Sequence, residues 1–342
     1  MDASPRSRIR ISDGIAWVHE ILERVSTRMT NRDEYVRRRR LRSMHELIDG
    51  LVKAAQENGQ ELYGVHVYRR GSEPVERRLR SDDRVNLYSV AKTFVSVALG
   101  IAEAEGRLTL DDPALDYYPE LRPSAAPGLD RVTIRHLLTM TSGSPHSWFA
   151  DQPVEVPDLA ADFFATPLEH EPGTHFSYTG TGPYVAARAL RAATGASVRD
   201  YLMPRVFGPL GIHNPQWHTC PLGHPVAESD LYLRTSELAR FGRLLLDDGK
   251  HDGRQLVPAE YCARIAGESV PTGSPDGPAQ RYGLGAWCEP GDRGFVMAGK
   301  YGQLCFVSPV RGAVVSVTAH VAEGSTGLSI TTMTRDKIIN HL

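Results

Sequence analysis

The segment from Leu87 to Ile101 constrains the fold more than any other stretch, because it is mostly apolar and has no turn residue before Gly100. Its apolar side chains recur at helical spacing, and a helix that is apolar on nearly every side is buried inside a large domain. Two polar residues, Ser89 and Lys92, interrupt its first turn and share one face, since they are three positions apart. A buried ammonium is costly unless another group uses it.

The Ser-x-x-Lys pattern predicts a nucleophile beside a tunable amine. No other serine has a lysine three residues later, and only five of the 39 basic residues are lysines. Lysine can lose its proton when it is desolvated, whereas arginine effectively cannot. At a helix start, unpaired N–H groups and the positive end of the dipole favour developing negative charge on Ser89. The alternative is a capping serine followed by a lysine whose ammonium reaches solvent.

Length and composition limit the function classes. With 342 residues, of which 41% are hydrophobic, the chain is large enough for two domains or for one large domain with an insertion. A net charge of −2 gives no electrostatic case for binding nucleic acid. The four cysteines lack ligand spacing, residues 15–25 carry charges that an export signal excludes, and no apolar run reaches the ~20 residues of a membrane span. We therefore expect a cytoplasmic protein without membrane contact.

Strand-like patterns lie at both ends of the chain, and helical patterns lie in its middle. Residues 1–42 are predicted to form an N-terminal helical arm. Residues 43–125 and 270–342 are predicted to form a sheet domain, and residues 126–269 a mainly helical domain inserted into it. This order predicts an α+β fold.

No cofactor or metal site is expected. His170 and His175 are one position too far apart for a zinc-binding helix, and Pro172-Gly173 would break that helix. Residues 294–301 nearly match a phosphate-binding loop, but Tyr301 stands where Mg²⁺ binding needs serine or threonine, and a strand is predicted to follow instead of a helix.

Two further residues are candidate partners of the serine and the lysine, since acyl chemistry needs a second proton carrier and an oxyanion site. Tyr178 lies where an extended run meets two nearby glycines, a place that can present a phenol to a cleft. Lys300 lies between Gly299 and Gly302, where glycine lets a backbone approach a ligand closely. The alternatives are a packed aromatic side chain for Tyr178 and a surface charge for Lys300.

With Ser89, Lys92, Tyr178 and Lys300 in this order, the chain resembles the serine β-lactamase and penicillin-binding-protein superfamily. It is most similar to the class C-like branch, which includes family VIII-type esterases, D-amino-acid peptidases and amidases, and acyltransferases. The resemblance implies an antiparallel β-sheet flanked by helices with an inserted all-helical domain. It extends from about residue 60 to about residue 340 and includes the segments 133–143 (TIRHLLTMTSG), 171–173 (EPG), 209–211 (PLG) and 234–242 (RTSELARFG).

The resemblance also implies roles for these residues. Ser89 would be the acylated nucleophile, and Lys92 would accept or share its proton. Tyr178 would act as the base and then as the acid toward the leaving group, and Lys300 matches the lysine of the Lys-Thr-Gly motif. The backbone N–H groups of Ser89 and Gln303 would form the oxyanion hole.

The sequence departs from the family pattern at two positions. Gly180 replaces the asparagine of Tyr-x-Asn, which normally grips the acyl-amide group of the substrate. Tyr301 replaces the threonine of Lys-Thr-Gly, just before Gly302, and a bulky ring there should reshape the acyl pocket. The missing asparagine argues against efficient β-lactam or peptide recognition.

Aromatic residues are the remaining candidates for substrate contact. Trp148, Trp217, Tyr232 and Tyr301 are expected either to line an apolar pocket around a small-molecule ester, amide or acyl donor, or to pack in the core. Three functions remain open. The first is a serine hydrolase that forms an acyl-Ser89 intermediate, the second is an acyltransferase that passes the acyl group to an amine or alcohol, and the third is a non-catalytic binding protein. The sequence does not predict an oligomeric state.

Overall fold

The computed structural model describes residues 43–149, 155–274, 280–289, 291, 294–321 and 328–342. The predicted helical arm, residues 1–42, lies outside the described residues. Helices are numbered along the chain as α1 (43–57), α2 (Ala91–Ala104), α3 (Ile134–Leu138), α4 (Leu159–Ala165), α5 (Thr181–Thr194), α6 (Val198–Leu202), α7 (Thr235–Leu246), α8 (Ala259–Gly267) and α9 (Leu328–Lys337).

The strands are β1 (Glu61–Arg69), β2 (Val75–Arg78), β3 (Val85–Asn86), β4 (Gln216–Trp217), β5 (Leu231–Leu233), β6 (Lys250–His251), β7 (Arg254–Gln255), β8 (Val270–Pro271), β9 (Arg281–Tyr282), β10 (Trp287–Cys288), β11 (Phe295–Gly299), β12 (Gln303–Ser308) and β13 (Ala313–His320). Within the described residues, eight strands form one antiparallel sheet in the order β2-β1-β13-β12-β11-β10-β9-β8. Strands from both ends of the chain thus lie side by side. The predicted α+β fold with an antiparallel sheet is confirmed.

Helices cover both faces of this sheet. Side chains alternate along β12, so Leu304 and Phe306 pack with α1 and α9 on one face, whereas Cys305 and Val307 face the core that contains α2 and α7. With both faces buried, the strand is apolar at nearly every position. The sheet is therefore the middle layer of the fold.

Helix α2 is the centre of the larger core, as its composition predicts. Every residue from Ala91 to Ala102 is buried. Phe94 stacks on Phe241 of α7 with 3.7 Å between ring centroids, and its ring also lies 5.8 Å from that of Phe207. This packing fixes the helix whose first turn carries the Ser-x-x-Lys pattern.

The predicted domain boundaries stay a prediction, because helices of the middle segment contact both the sheet and the helix α2. Helix α7 contacts β1, β12 and β13 of the sheet, and α2 contacts α5 and α6 of the middle segment. Two element predictions were wrong in detail. Proline favours the first turn of a helix, so the sequence predicts that α5 begins at Pro183, but it begins two residues earlier, at Thr181. The strand-like alternation of residues 283–288 predicts one strand, but only Trp287–Cys288 pairs, because the Gly283 N–H donates to the Ala286 carbonyl oxygen and closes a turn. None of the helices in the described ranges has the length and apolar character to cross a membrane.

Candidate active site

The Ser-x-x-Lys pair forms a direct contact at the start of α2. Ser89 lies in a 3₁₀ turn, Tyr88–Val90, that leads into the helix. The Lys92 ammonium is fully buried and donates a hydrogen bond to Ser89 Oγ at 2.8 Å. Tyr88 has a φ of +48°, and its N–H donates to Asn86 Oδ1 at 2.8 Å, which holds this unusual backbone in place. A half-buried hydroxyl therefore lies against a buried cation.

A buried carboxylate completes the surroundings of this cation. Lys92 Nζ lies 2.9 Å from Glu228 Oε2 and 3.1 Å from the Glu228 carbonyl oxygen. Burial would lower the pKa of Lys92, but the charges and hydrogen bonds of Tyr178 and Glu228 outweigh it, and the net effect is a raised pKa. In the free protein Lys92 is therefore an ammonium at neutral pH.

Glu228 occupies space that Gly180 leaves open. A Cβ at position 180 would lie 2.9 Å from Glu228 Cγ and 2.3 Å from the Trp148 carbonyl oxygen. The position at which the family motif carries asparagine is thus closed to any side chain. The Glu228 carboxylate is the polar group found beside Lys92.

Tyr178 lies on the same side of Lys92. Its ring centroid is 5.0 Å from Lys92 Nζ, and this phenol is one of the groups that raise the pKa of Lys92. Residues 175–179 have no regular secondary structure, so the predicted extended run does not form a strand, although the Ser177 N–H donates to the Met140 carbonyl oxygen at 2.8 Å. The structure therefore brings Tyr178, Lys92 and Ser89 together.

Four other aromatic side chains pack around Tyr178, and we call these five residues the aromatic wall. Tyr178 stacks on Trp287 with 5.3 Å between centroids and meets Tyr282 edge-on at 5.7 Å. Tyr282 is buried, whereas the other members are half-buried. The aromatic wall consists of Phe149, Phe176, Tyr178, Tyr282 and Trp287.

The segment around Lys300 reaches the nucleophile turn from the sheet. A Cβ at Gly299 would lie 2.1 Å from the Leu87 carbonyl oxygen, so glycine permits this close approach. The Tyr301 ring meets the Tyr88 ring edge-on at 5.2 Å, and Lys300 Nζ lies 5.0 Å from the Tyr301 ring centroid. Lys300 and Tyr301 thus lie beside the residue that precedes Ser89.

The turn after Lys300 is fixed by its backbone and by one buried amide. Gly302 has a φ of +89°, which an L side chain rarely adopts. The Gln303 side chain is buried, donates to the Ala319 carbonyl oxygen at 2.6 Å and accepts from the Ala319 N–H at 3.3 Å. This anchors the start of β12, while the oxyanion role of the backbone N–H groups of Ser89 and Gln303 stays a prediction.

The other predicted pocket aromatics have structural contacts. The Trp217 indole N–H donates to the Ser229 carbonyl oxygen at 2.9 Å and so supports the loop that carries Glu228. Tyr232 pairs with Asn86 between β5 and β3, and its ring lies 4.7 Å from the His218 ring. Their roles in substrate contact stay predictions.

Trp148, the third of these predicted aromatics, packs against the start of α5. Its carbonyl oxygen abuts Gly180, and its N–H donates to Thr181 Oγ1 at 3.1 Å. His146 contacts the same Thr181 hydroxyl at 3.0 Å and Asp162 Oδ2 at 2.8 Å, which gives this histidine a structural role. The segment 146–148 therefore braces the start of α5, where Gly180 meets Glu228.

Sequence reasoning missed Glu228 and four members of the aromatic wall, Phe149, Phe176, Tyr282 and Trp287. The replacement of the motif asparagine by Gly180 was the available signal, because a buried ammonium needs a polar partner and the usual one is absent. The sequence does not say which of the many acidic residues supplies it. Within the described ranges, no group of histidine, cysteine or acidic side chains is arranged to hold a metal ion.

Comparison with known proteins identifies the family of this chain. A family model described as Beta-lactamase matches residues 21–334. Lovastatin esterase of Penicillium rubens is 29% identical over 181 residues, which cover 46% of this chain and 44% of that protein. The 6-aminohexanoate-dimer hydrolase of Paenarthrobacter ureafaciens is 26% identical over 275 residues, which cover 72% of this chain and 69% of that one. The chain thus matches less than half of the length of lovastatin esterase.

A solved structure supports the fold. EstCE1, described as a hydrolase with promiscuous acyltransferase activity, superposes with a TM-score of 0.70 over 87% of this chain and 98% of its own. Its sequence identity is 17%. At that identity the likeness shows a common fold.

Proposed function

The chain belongs to the Beta-lactamase family, and we propose that it is a serine hydrolase that forms an acyl-Ser89 intermediate on a small ester or amide. The observation that carries this proposal is the 2.8 Å contact between Lys92 Nζ and Ser89 Oγ at the start of a buried helix. A buried ammonium at this distance stabilises negative charge that develops on the hydroxyl oxygen. The named relatives include an esterase and an amide-dimer hydrolase, which fits this reaction class.

The reaction has two halves. Ser89 Oγ bonds to the acyl carbon while its proton passes to Lys92, and Lys92 gives one of its own ammonium protons to a neighbouring oxygen acceptor. The leaving group takes that proton back through Lys92 as its bond to the acyl carbon breaks. Water then attacks the acyl-Ser89 ester and releases the acid. Tyr178 is the second candidate for proton exchange with Lys92, since its ring centroid lies 5.0 Å from the same ammonium.

Esters with an apolar or aromatic acyl group are the substrates that fit best. Gly180 offers no side-chain amide to hold an acyl-amide group. The half-buried rings of the aromatic wall offer apolar area beside Tyr178, and aromatic groups stack favourably on such rings. We therefore expect ester hydrolysis to be faster than hydrolysis of a β-lactam.

Covalent labelling tests the proposal. Incubation with a p-nitrophenyl alkylphosphonate should release one equivalent of p-nitrophenol and add one phosphonyl group, which peptide mapping should locate on Ser89. Ser89→Ala should gain no mass under the same conditions, with circular dichroism confirming that it is folded. An adduct on the alanine variant, or binding of esters by the wild type without adduct or turnover, would contradict the proposal, and the latter result would favour a binding protein.

Trp287→Ala tests the substrate class. The loss of its ring should lower kcat/KM for a phenylacyl ester by about tenfold, because one aromatic contact contributes ~0.5–1.5 kcal/mol beyond its buried area. An acetyl ester covers little of the ring and should change by less than about threefold. The control is Tyr63→Ala, because Tyr63 lies on β1 and its ring contacts the Arg80 guanidinium. Equal losses for both esters would show that the aromatic wall does not select the acyl group.

Acyl transfer is the second candidate. The aromatic wall places apolar area beside the nucleophile, and exclusion of water from such a site favours other acceptors. EstCE1, which shares the fold, is described as having promiscuous acyltransferase activity. The ratio of ester formed to acid released, measured with increasing concentrations of added alcohols and amines, separates the two functions. A ratio that stays near zero at high acceptor concentration would exclude acyl transfer and leave hydrolysis as the only function of the two.

A further inference from the structure

We propose that Glu228 is the positioning residue for Lys92, that it stands in for the side chain absent at Gly180, and that it is the far end of a proton path from Ser89 through Lys92. This inference rests on the proposed acyl-Ser89 chemistry and goes beyond it, because the family motifs found in the sequence do not include residue 228.

The contacts of Lys92 define one orientation of its ammonium. Three acceptors lie within hydrogen-bond distance of Nζ: Ser89 Oγ at 2.8 Å, Glu228 Oε2 at 2.9 Å and the Glu228 carbonyl oxygen at 3.1 Å. An ammonium has three N–H donors, so this number matches. Two of the three acceptors come from Glu228. The direction in which Lys92 meets the nucleophile is therefore set chiefly by this one residue.

Burial makes the pair interdependent. The side chain of Lys92 is fully buried and that of Glu228 is 4% exposed. Either charge alone would be strongly destabilising in this place, whereas the pair with good geometry is tolerated. A buried pair of this kind contributes little net stability, so its retention beside a candidate nucleophile indicates a role in the chemistry.

Gly180 and Glu228 are fitted to each other. The Glu228 side chain passes through the volume that a Cβ at Gly180 would need, 2.9 Å from Cγ and 3.2 Å from Cδ. The Glu228 side chain thus occupies the space that a side chain at position 180 would need. Where the family motif has a neutral amide, this protein has an anion, which raises the pKa of Lys92 and favours its charged form.

The loop that carries Glu228 is tied directly to the nucleophile turn. Asn86 Oδ1 accepts from the N–H of Tyr88 at 2.8 Å and from the N–H of Asp230 at 3.1 Å. Asn86 Nδ2 donates to Asp230 Oδ1 at 2.7 Å. One side chain thus fixes the residue before Ser89 and the residue two after Glu228. This holds both ends of the path at a constant separation.

The proton path follows from these contacts. As Ser89 Oγ bonds to the acyl carbon, its proton passes to Lys92 Nζ while one of the Lys92 protons passes to Glu228 Oε2. Lys92 remains an ammonium and Glu228 becomes the neutral acid. When the leaving group departs, it takes a proton from Lys92, and Lys92 takes one back from Glu228. No other reactant is needed, and the resting charges are restored.

Glu228→Gln tests the proposal, because glutamine keeps the shape and a hydrogen bond to Lys92 but removes the charge. We expect kcat/KM for a p-nitrophenyl ester to fall by about 10²-fold or more, because glutamine cannot accept the proton that Lys92 passes on. The Glu228 carboxylate helps to raise the pKa of Lys92, so the alkaline limb of the kcat/KM profile should lie at higher pH in the wild type than in the variant. Without the carboxylate the pKa of Lys92 falls, and this limb moves to lower pH.

Two further variants make the result specific. Glu228→Asp keeps the charge but shortens the side chain, so it should lose rate while its alkaline limb stays closer to that of the wild type. Glu237→Gln is the control, because Glu237 is also buried and ion-paired, to Arg84 at 2.7 Å, and any loss of stability there should leave the limb unmoved. A limb that does not move in Glu228→Gln, or that moves equally in Glu237→Gln, would overturn the inference. If the wild type still labels on Ser89 in that case, the proposed function survives, whereas a wild type that neither labels nor turns over ester overturns both.

Discussion

Lys92→Met is expected to lower kcat/KM for ester hydrolysis by about 10³-fold or more, because it removes the ammonium that donates a hydrogen bond to Ser89 Oγ. The same substitution should lower the free energy of unfolding by ~3–5 kcal/mol, since it removes the buried cation that lies 2.9 Å from the buried Glu228 carboxylate. Methionine is close to lysine in shape, so packing contributes little to either change. Ester hydrolysis and urea unfolding measure the two effects.

A double variant separates the chemical effect from the structural one. In Lys92→Met combined with Glu228→Met, no buried charge is left unpaired, and the free energy of unfolding should return to within ~2 kcal/mol of the wild type. The activity should stay at the level of the single variant. Lys53→Met, which removes an exposed lysine in a 3.9 Å contact with Glu57, is the control and should change stability by less than ~0.5 kcal/mol. Recovery of activity in the double variant would rule out Lys92 as part of the catalytic machinery.

The part of the site that the sequence predicts is local. Ser89 and Lys92 share a helical turn, so their spacing alone places them together. Thr133 and His136, three positions apart, likewise form a capping box at the start of α3. The strand-like residue patterns of β1 and β13 likewise predict these two strands, because each pattern lies within a single element. Short-range geometry of this kind follows from backbone periodicity.

The part that the sequence does not predict comes from long-range packing. Glu228 lies 136 positions from Lys92, in a loop with no periodic pattern, and its burial depends on the absence of a side chain at Gly180. The aromatic wall likewise gathers rings such as Phe149 and Trp287 from separate segments. Only the order of strands and helices in the fold determines which of these residues meet. A glycine in place of a motif asparagine indicates that a substitute is needed but not where it lies.

Gly180→Ala is expected to lower kcat/KM by about 10²-fold, although it adds a single methyl group. That methyl would lie 2.3 Å from the Trp148 carbonyl oxygen and 2.9 Å from Glu228 Cγ, both far inside contact distance. The backbone carbonyl has little freedom, so the Glu228 side chain or the start of α5 must shift. A displacement of ~1 Å in a positioning group costs about 10²-fold in rate. The free energy of unfolding should fall by ~1–3 kcal/mol, as for other overpacked sites.

Gly50→Ala is the matched control for this substitution. Gly50 lies in α1, has no heavy atom within 4 Å of the added methyl, and has no positive φ. Alanine there should stabilise the protein by ~0.5–1 kcal/mol through helix propensity and leave kcat/KM unchanged. Removing the Glu228 side chain in the Gly180→Ala background should not restore activity, because the clash with the Trp148 carbonyl remains and Lys92 loses its partner. Wild-type kcat/KM in Gly180→Ala would show that the fit between residues 180 and 228 has no bearing on the chemistry of Ser89.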